Sequence, residues 1–420
     1  MENIINKKNT PHSGFSQRNE AIDIFRALTM FIMVFVNDFW KANDIPVWLN
    51  HARRGDTFIG LADYVLPCFL FVVGMSIPFA IERRYSKGAS GESTIGHILS
   101  RSLALLIMGV FITNTENSSW DRLSPDIFYS VGAYWILMVT AFIFIWNQYP
   151  KTDKQSLKKL FTVLKFVGVG ILLFLAITFK DINGNIFRAR WGILGNIGWT
   201  YLVCALIYVY TRDRLKYLIP VWCAFVIICI LNSRMVQGMG GNAILSIPSP
   251  NFYSDFLGIF HIGSGSSCAF TMGGIILSLL TVKYAHIVNR KKIIFFVVAF
   301  IVFLSASYIA RNFWTLSKGT ATPAWIFYIT ATAIAVYGII YWLVKIGKAS
   351  WFNIIKPAGT ATLTCYAFPY VAYGLAHITG IVLPDWFTHG FLSIVNCLCF
   401  AFVIVGATWL ANKFYIKLKI

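Results

Sequence analysis

The sequence predicts an all-α, polytopic membrane bundle of about 12 transmembrane helices (roughly 10–12), with both termini cytoplasmic. Three observations carry that prediction. The chain of 420 residues is 57% hydrophobic and only 13% charged, whereas soluble domains run near half apolar and a quarter charged. Apolar runs close to the ~20 residues that cross a bilayer recur along its whole length. Lys and Arg fall unevenly among the connections, as they do where they set membrane orientation.

The apolar runs lie near 22–40, 61–82, 101–115, 127–147, 159–179, 192–211, 215–232, 260–282, 292–310, 323–344, 358–378 and 388–412. The third is short. The sixth and seventh are separated by TRDRL alone, which predicts a tight hairpin. Residues 1–20 are polar and lack an apolar core ahead of a small-residue cleavage site, so the first span is expected to stay as an anchor. The organisation that follows is a cytoplasmic tail at 1–20, a bundle at 21–412 and a basic cytoplasmic tail at 413–420. The stretch 233–259, rich in Gly, Pro and Ser, reads as a long outer loop placed to act as a lid.

With the N-terminus inside, the cytoplasmic segments hold 24 Lys and Arg and the outer loops 10, with Arg26 and Lys165 inside spans. That bias supports both termini inside and puts His51 on the outer side. A net charge of +19 tempts a reading toward nucleic acid. A basic inner face of a membrane protein explains it better, since such a face suits anionic headgroups and anionic cytosolic ligands. No nucleic-acid motif is present. The eight cysteines, at 68, 204, 223, 229, 268, 365, 397 and 399, all fall in apolar segments without metal-ligand spacing. They read as small buried hydrophobes, with no disulfide and no metal expected.

The chemistry concentrates in residues 18–84, where Asp23, Asp38 and Asp63 lie in or beside two apolar segments. A carboxylate at membrane depth is costly and marks function by default. Asp23 and Arg26, at i,i+3, share a helical face, as a structural ion pair or as a station for an anionic ligand. Asn37 closes the first span either as a helix cap or as a working polar group. Asp63 is either a favourable carboxylate at a helix N-terminus or the orienter of a histidine. His51 is a solvated loop residue or a general base, since an imidazole titrates near neutrality. His377 and His389 are second-rank candidates on the outer side. Arg190 and Trp191 in RARWGILGNIGWTYL, and Arg311, Asn312 and Trp314 in RNFWTLS, are ordinary interfacial anchors by composition. The glycines of GSGSSCAFTMGG suit close helix packing better than a phosphate loop.

RNEAIDIFRALTMFIMVFVN, followed by NHARRGDTFIGLADYVLPCFLFVVGMSI, resembles the heparan-α-glucosaminide N-acetyltransferase family of transmembrane acetyltransferases. RWGILGNIGWTYL, FWTLS and AGTATLTCYAFPYV look like further family blocks in the expected order, so the resemblance runs from about residue 18 to about 380. It implies transfer of an acetyl group from cytosolic acetyl-CoA to an amino sugar across the membrane. It carries the active-site histidine to His51, the asparagine of VFVN to Asn37 and the aspartate of ADYVLP to Asp63. It also implies a homodimer. The loop before His51 departs from the vertebrate pattern, and an extra hairpin puts 115–187 out of register with the family.

On that resemblance His51 is the base, Asn37 the contact to the thioester carbonyl and Asp63 the orienter. Arg190, Trp191, Arg311, Asn312 and Trp314 are expected at the acceptor and Arg26 at the CoA phosphates. A pantetheine arm spans roughly 15–20 Å against about 30 Å of hydrocarbon, so the nucleotide must enter a cytosolic cavity. The expected acceptor is a periplasmic glucosamine or glucosamine-containing glycan at a bacterial inner membrane. A proton-coupled transporter of sugars, using Asp23, Asp38 and Asp63, is the alternative.

Overall fold

The computed structural model describes residues 15, 19–52, 56, 58–116, 123–124, 127–233, 264–285 and 288–420. Among these residues the chain is helical, with isolated β-bridges and no β-strand. The long helices are α1 (Glu20–Asn37), α2 (Leu61–Ser86), α3 (Gly91–Glu116), α4 (Val131–Trp146), α5 (Gln155–Thr178) and α6 (Gly192–Thr211). They continue with α7 (Leu215–Asn232), α8 (Ser266–Lys283), α9 (Asn289–Ala310), α10 (Pro323–Lys345), α11 (Thr362–Thr379) and α12 (Gly390–Lys413). Nine of these, all but α1, α4 and α11, are long and apolar enough to cross a membrane. The chain is a multi-pass helical membrane protein.

The other three have identifiable reasons for falling short. Three ionisable residues, Glu20, Asp23 and Arg26, sit in α1. Helix α4 has 16 residues. Tyr366, Tyr370 and Tyr373 lower the apolarity of α11. The third segment is longer than its expected 101–115, because α3 starts at Gly91. Ser90 makes that start possible: its hydroxyl accepts the Ser93 N–H at 3.1 Å, an N-cap that carries the polar turns GESTIGHILS into the helix. Most of the stretch read as a lid, and Arg53, Arg54, His12, His261 and His286, lie outside the described residues.

One compact unit comprises Met1–Thr29, Pro46–Ser102 and Ile197–Asn353. Its centre is the pairing of α2 with α8. A side chain added at Gly74 would meet the Thr271 carbonyl, and one added at Gly274 would meet the Phe71 carbonyl. Two glycines thus let the backbones touch, which is how helices gain packing in lipid, where apolar burial gives little. This bears out the packing reading of the GSGSSCAFTMGG glycines at Gly274. Helix α9 meets α10 through the Ser307 hydroxyl, which donates to the Ala324 carbonyl at 2.8 Å.

The predicted α6–α7 hairpin turns on Arg212, which adopts a left-handed φ of 54°. Such a backbone costs a non-glycine residue about 1–3 kcal/mol and persists only where its surroundings fix it. Here the buried Arg212 guanidinium donates to Glu82 of α2 at 2.6 Å and lies 4.3 Å from the Tyr85 ring centre. Tyr208 donates to the other Glu82 oxygen at 3.2 Å.

The second unit comprises Met30–Ile45, Leu103–Asn196 and Ile354–Ile420. Helix α4 packs between α5 and α11, with Tyr134, Met138 and Phe142 fully buried. A side chain at Gly132 would meet the Gly374 carbonyl at 2.7 Å, and the reverse pair is equally close. Asp38 lies in a short 3-10 turn after α1 and is buried here. Tyr373 donates to it at 2.8 Å and Lys41 pairs with it at 3.1 Å. The Lys41 ammonium sits 4.1 Å from the Tyr373 ring centre. Asp38 is therefore charge-balanced and hydrogen-bonded, the condition under which a buried carboxylate is tolerated.

Candidate active site

The first turn of α2 builds the site. Leu61 and Ala62 donate their backbone N–H groups to the carbonyls of Trp48 and Leu49, at 2.7 and 3.2 Å. The chain from 46 to 50 is thereby laid against the helix start. Gly60 is required at this crossing, because a side chain there would run into the Asn50 carbonyl. His51 follows directly and is delivered over the helix N-terminus. Its backbone N–H donates to the Asn50 side-chain oxygen at 2.7 Å.

Asp63 sits in that first turn and is 1% exposed. One oxygen, Oδ2, accepts the backbone N–H of Ala52 at 2.9 Å and of Gly60 at 3.2 Å. The other, Oδ1, lies 2.8 Å from His51 Nδ1 and 3.2 Å from the Lys318 ammonium. A carboxylate only accepts, so this contact is a hydrogen bond when Nδ1 carries a proton, and a neutral ring in that tautomer has its lone pair on Nε2. The His51 side chain is 50% exposed, which keeps the ring reachable. Asp63 thus caps the helix start through one oxygen and contacts the histidine through the other.

Lys318 completes the cluster, with Nζ 3.1 Å from His51 Nδ1. It stands in a turn organised by Thr322. That hydroxyl donates to the Thr315 carbonyl at 2.7 Å and accepts the Ser317 N–H at 3.3 Å and the Trp325 N–H at 3.4 Å. Sequence reading missed Lys318. The block RNFWTLS stops one residue short of it, and a lysine in a loop looks like orientation charge. The only signal was the general one that a carboxylate beside an apolar segment needs compensation, which does not say by which cation.

Arg26 pairs with Asp23 at 3.4 Å and donates to Ser76 of α2 at 2.6 Å. Arg311 and Asn312 are exposed just after α9, in the same connection as Lys318. Trp314, between them and Lys318, is buried, and its indole N–H has no partner among the described residues. Asn37 is the exposed last residue of α1 and belongs to the second unit, as do Arg190 and Trp191. Arg190 is exposed, and the Trp191 carbonyl accepts the Gly195 N–H at 2.9 Å. His389 Nδ1 faces the Asp385 carbonyl at 2.7 Å, and His377 packs against Gly132.

The structure therefore brings His51 and Asp63 together and adds Lys318. Among the described residues no group of three or more His, Cys, Asp or Glu is arranged to hold a metal ion. All eight cysteines are free. A histidine with one nitrogen tied to a buried carboxylate and the other open is suited to removing a proton from an attacking group.

Residues 18–117 match the family model described as heparan-alpha-glucosaminide N-acetyltransferase, catalytic. The heparan-alpha-glucosaminide N-acetyltransferase of Mus musculus is 28% identical over 144 residues, covering 32% of this chain and 21% of that protein. The Homo sapiens protein of the same name is 28% identical over 142 residues, covering 31% of this chain and 20% of its own length. The matched stretch thus spans about a fifth of these curated relatives. His51, Asp63, Asn37 and Arg26 lie inside the family match, and Lys318 lies outside it.

Proposed function

We propose that this heparan-α-glucosaminide N-acetyltransferase-like membrane protein moves an acetyl group from cytosolic acetyl-CoA to the amine of a periplasmic amino sugar. Glucosamine or a glucosamine-containing glycan is the acceptor, and the bacterial inner membrane is the location. The observation that carries this reading is the 2.8 Å contact of His51 Nδ1 with buried Asp63, inside the stretch that matches the family.

In the reaction the amine nitrogen attacks the thioester carbonyl carbon. A C–N bond forms and the carbonyl oxygen takes the negative charge. His51 Nε2 takes the proton leaving the nitrogen. The tetrahedral centre then expels the CoA sulfur, and the imidazolium returns its proton to that thiolate. Asp63 holds the ring so that Nε2, and not Nδ1, is the base. The imidazolium formed midway keeps its hydrogen bond to that carboxylate. A second route has Nε2 attack the thioester first, expelling the CoA thiolate, and the amine then takes the acetyl group from the acetyl-imidazole, which frees Nε2 again. Radiolabelled acetyl-enzyme formed with acetyl-CoA alone distinguishes the two.

Arg311, Asn312 and Trp314 are proposed at the acceptor because they share the connection that brings Lys318 to His51. The Trp314 indole N–H, without a partner among the described residues, is a donor suited to a sugar hydroxyl. Asn37 at the thioester carbonyl rests on the resemblance, Arg190 and Trp191 at the acceptor on their family-like block, and Arg26 at the CoA phosphates on its place at the expected cytosolic end of the first span.

The test uses sealed inside-out vesicles, with acetyl-CoA outside and glucosamine inside. N-acetylglucosamine and free CoA are expected in equal amounts, and neither from a His51→Ala protein. Sugar flux without acetylation would replace this reading with a transporter.

A further inference from the structure

We propose that Lys318 is a positioning residue which, by sharing the Asp63 carboxylate with His51, keeps the imidazole neutral and its Nε2 lone pair available. The inference rests on the acetyl-transfer reading for its purpose, but on geometry for its content. Three atoms form a triangle: His51 Nδ1 to Asp63 Oδ1 is 2.8 Å, Lys318 Nζ to the same Oδ1 is 3.2 Å, and Nζ to Nδ1 is 3.1 Å.

Consider the charges. A buried carboxylate needs compensation. A histidine left alone with one is drawn into an imidazolium–carboxylate pair, because an opposite charge within ~4–6 Å favours the charged form. A protonated imidazole has no lone pair and is no base. Lys318 removes that pull by supplying the one positive charge Asp63 requires. It also sets an ammonium 3.1 Å from the ring, where a second cation would be repelled. The Asp63–Nδ1 bond survives, since Oδ1 accepts from both nitrogens and Oδ2 is held by Ala52 and Gly60. Orientation by Asp63 and neutrality by Lys318 are thus separate contributions from two elements.

Asp63 from α2 and Lys318 from the α9–α10 connection are the charged groups in contact with the ring among the described residues. Behind them, Tyr64 of α2 and Tyr328 of α10 bring their hydroxyls within 3.3 Å of each other. Asp56 shares the loop of His51. Neither tyrosine nor Asp56 supplies a cation, so among the described residues the balance at Asp63 turns on Lys318.

The experiment reads His51 without acetyl-CoA or acceptor. The full chain in lipid nanodiscs is treated with diethyl pyrocarbonate, which reacts with an imidazole only in its neutral form. Labelling at His51 is followed by peptide mass spectrometry over a pH series, scaled to its high-pH plateau. In Lys318→Met the midpoint is expected to rise by about one pH unit, so that scaled labelling below the midpoint falls roughly tenfold. Lys318→Arg should keep the wild-type profile. A Lys318→Met midpoint that is unchanged or lowered overturns the proposal. A second measurement needs no variant: ¹⁵N spectra of histidine-labelled wild-type protein should show His51 neutral at pH 7, protonated on Nδ1. An imidazolium or an Nε2–H tautomer there also overturns it. Acetyl transfer is read in neither arm, so a failure here leaves that reading standing, and an inactive wild type leaves this one standing.

Discussion

Asp63 bonds His51 through one oxygen and the backbone of the His51 loop through the other. Oδ1 lies 2.8 Å from His51 Nδ1, and Oδ2 accepts the Ala52 N–H at 2.9 Å. Removing the charge while keeping the shape separates the two duties. Asp63→Asn should retain part of the cap and lose the tautomer control, because an amide can donate to Nδ1 and leave the proton on Nε2. Acetyl transfer in vesicles is expected to fall about 10²–10⁴-fold, the usual worth of a positioned base. Stability, read from a thermal melt, should fall by no more than a cap contributes, about 1 kcal/mol. Activity within a few-fold of wild type would remove Asp63 from the mechanism.

Gly60 gives a second, purely steric test. Its added Cβ in Gly60→Ala would meet the Asn50 carbonyl, next to His51. The loop must shift to relieve the clash, at about 1–3 kcal/mol for an overpacked site. The ring then loses its register on Asp63. Transfer should drop more than tenfold, since misplacement by ~1 Å is enough to cost that much. The measurement pairs initial rates with a thermal melt, and a protein less stable but fully active would contradict it.

The spans were legible because the bilayer imposes length and apolarity on a stretch directly, and α5 to α7, α9 and α10 fall close to where composition puts them. The α3 start was not, because GESTIGHILS is polar and its helicity depends on the Ser90 cap. His51 and Asp63 were legible as a pair only as alternatives, since they lie 12 positions apart in sequence and the turn laid on α2 is a tertiary fact. Lys318 was illegible. It lies 267 residues from His51 in sequence, and no local pattern distinguishes a lysine that reaches a buried carboxylate from one that faces water. Glu82 escaped notice for the same reason, its partner being Arg212, 130 residues away.

Asp38 is flagged by the cost of a carboxylate in an apolar segment, and the structure supplies a structural answer. It is buried against Tyr373 and Lys41. Asp38→Ala would leave Lys41 beside an empty place and Tyr373 without its acceptor. The expected loss is about 2–3 kcal/mol, below the value for a fully buried pair because Lys41 keeps some solvent. A transporter that moves protons through Asp38 would instead show lost uptake at unchanged melting temperature.

Asp181, in the connection between α5 and α6, gives a pH signature. Burial opposes its ionisation, but the Asn185 side chain, the backbone N–H groups of Asn185 and Asn183, and nearby Arg188 outweigh it. Its carboxyl is held below the ordinary value of 3.8. A depressed carboxyl contributes stability that is present above its unfolded value and is lost as pH falls through its folded one. Wild type should therefore melt above Asp181→Asn at pH 5–7, with the gap closing below about pH 4. A gap independent of pH would show that the loop is held by shape and not by charge.

The Glu82–Arg212 pair is the sharpest test of how this fold tolerates charge. Both side chains are buried, at 2.6 Å, and Arg212 also carries the left-handed turn between α6 and α7. Glu82→Gln leaves a guanidinium buried with no counter-charge from α2, so the expected cost is about 3–5 kcal/mol. Arg212→Gly relieves the backbone strain, worth about 1–2 kcal/mol, but strands the Glu82 carboxylate in turn. The double variant Glu82→Gln with Arg212→Gly removes both charges and the strain together. It should recover most of the loss and melt above either single variant in the same nanodiscs. If the losses of the two single variants simply add in the double variant, the pair is not coupled and the turn is held by its neighbours.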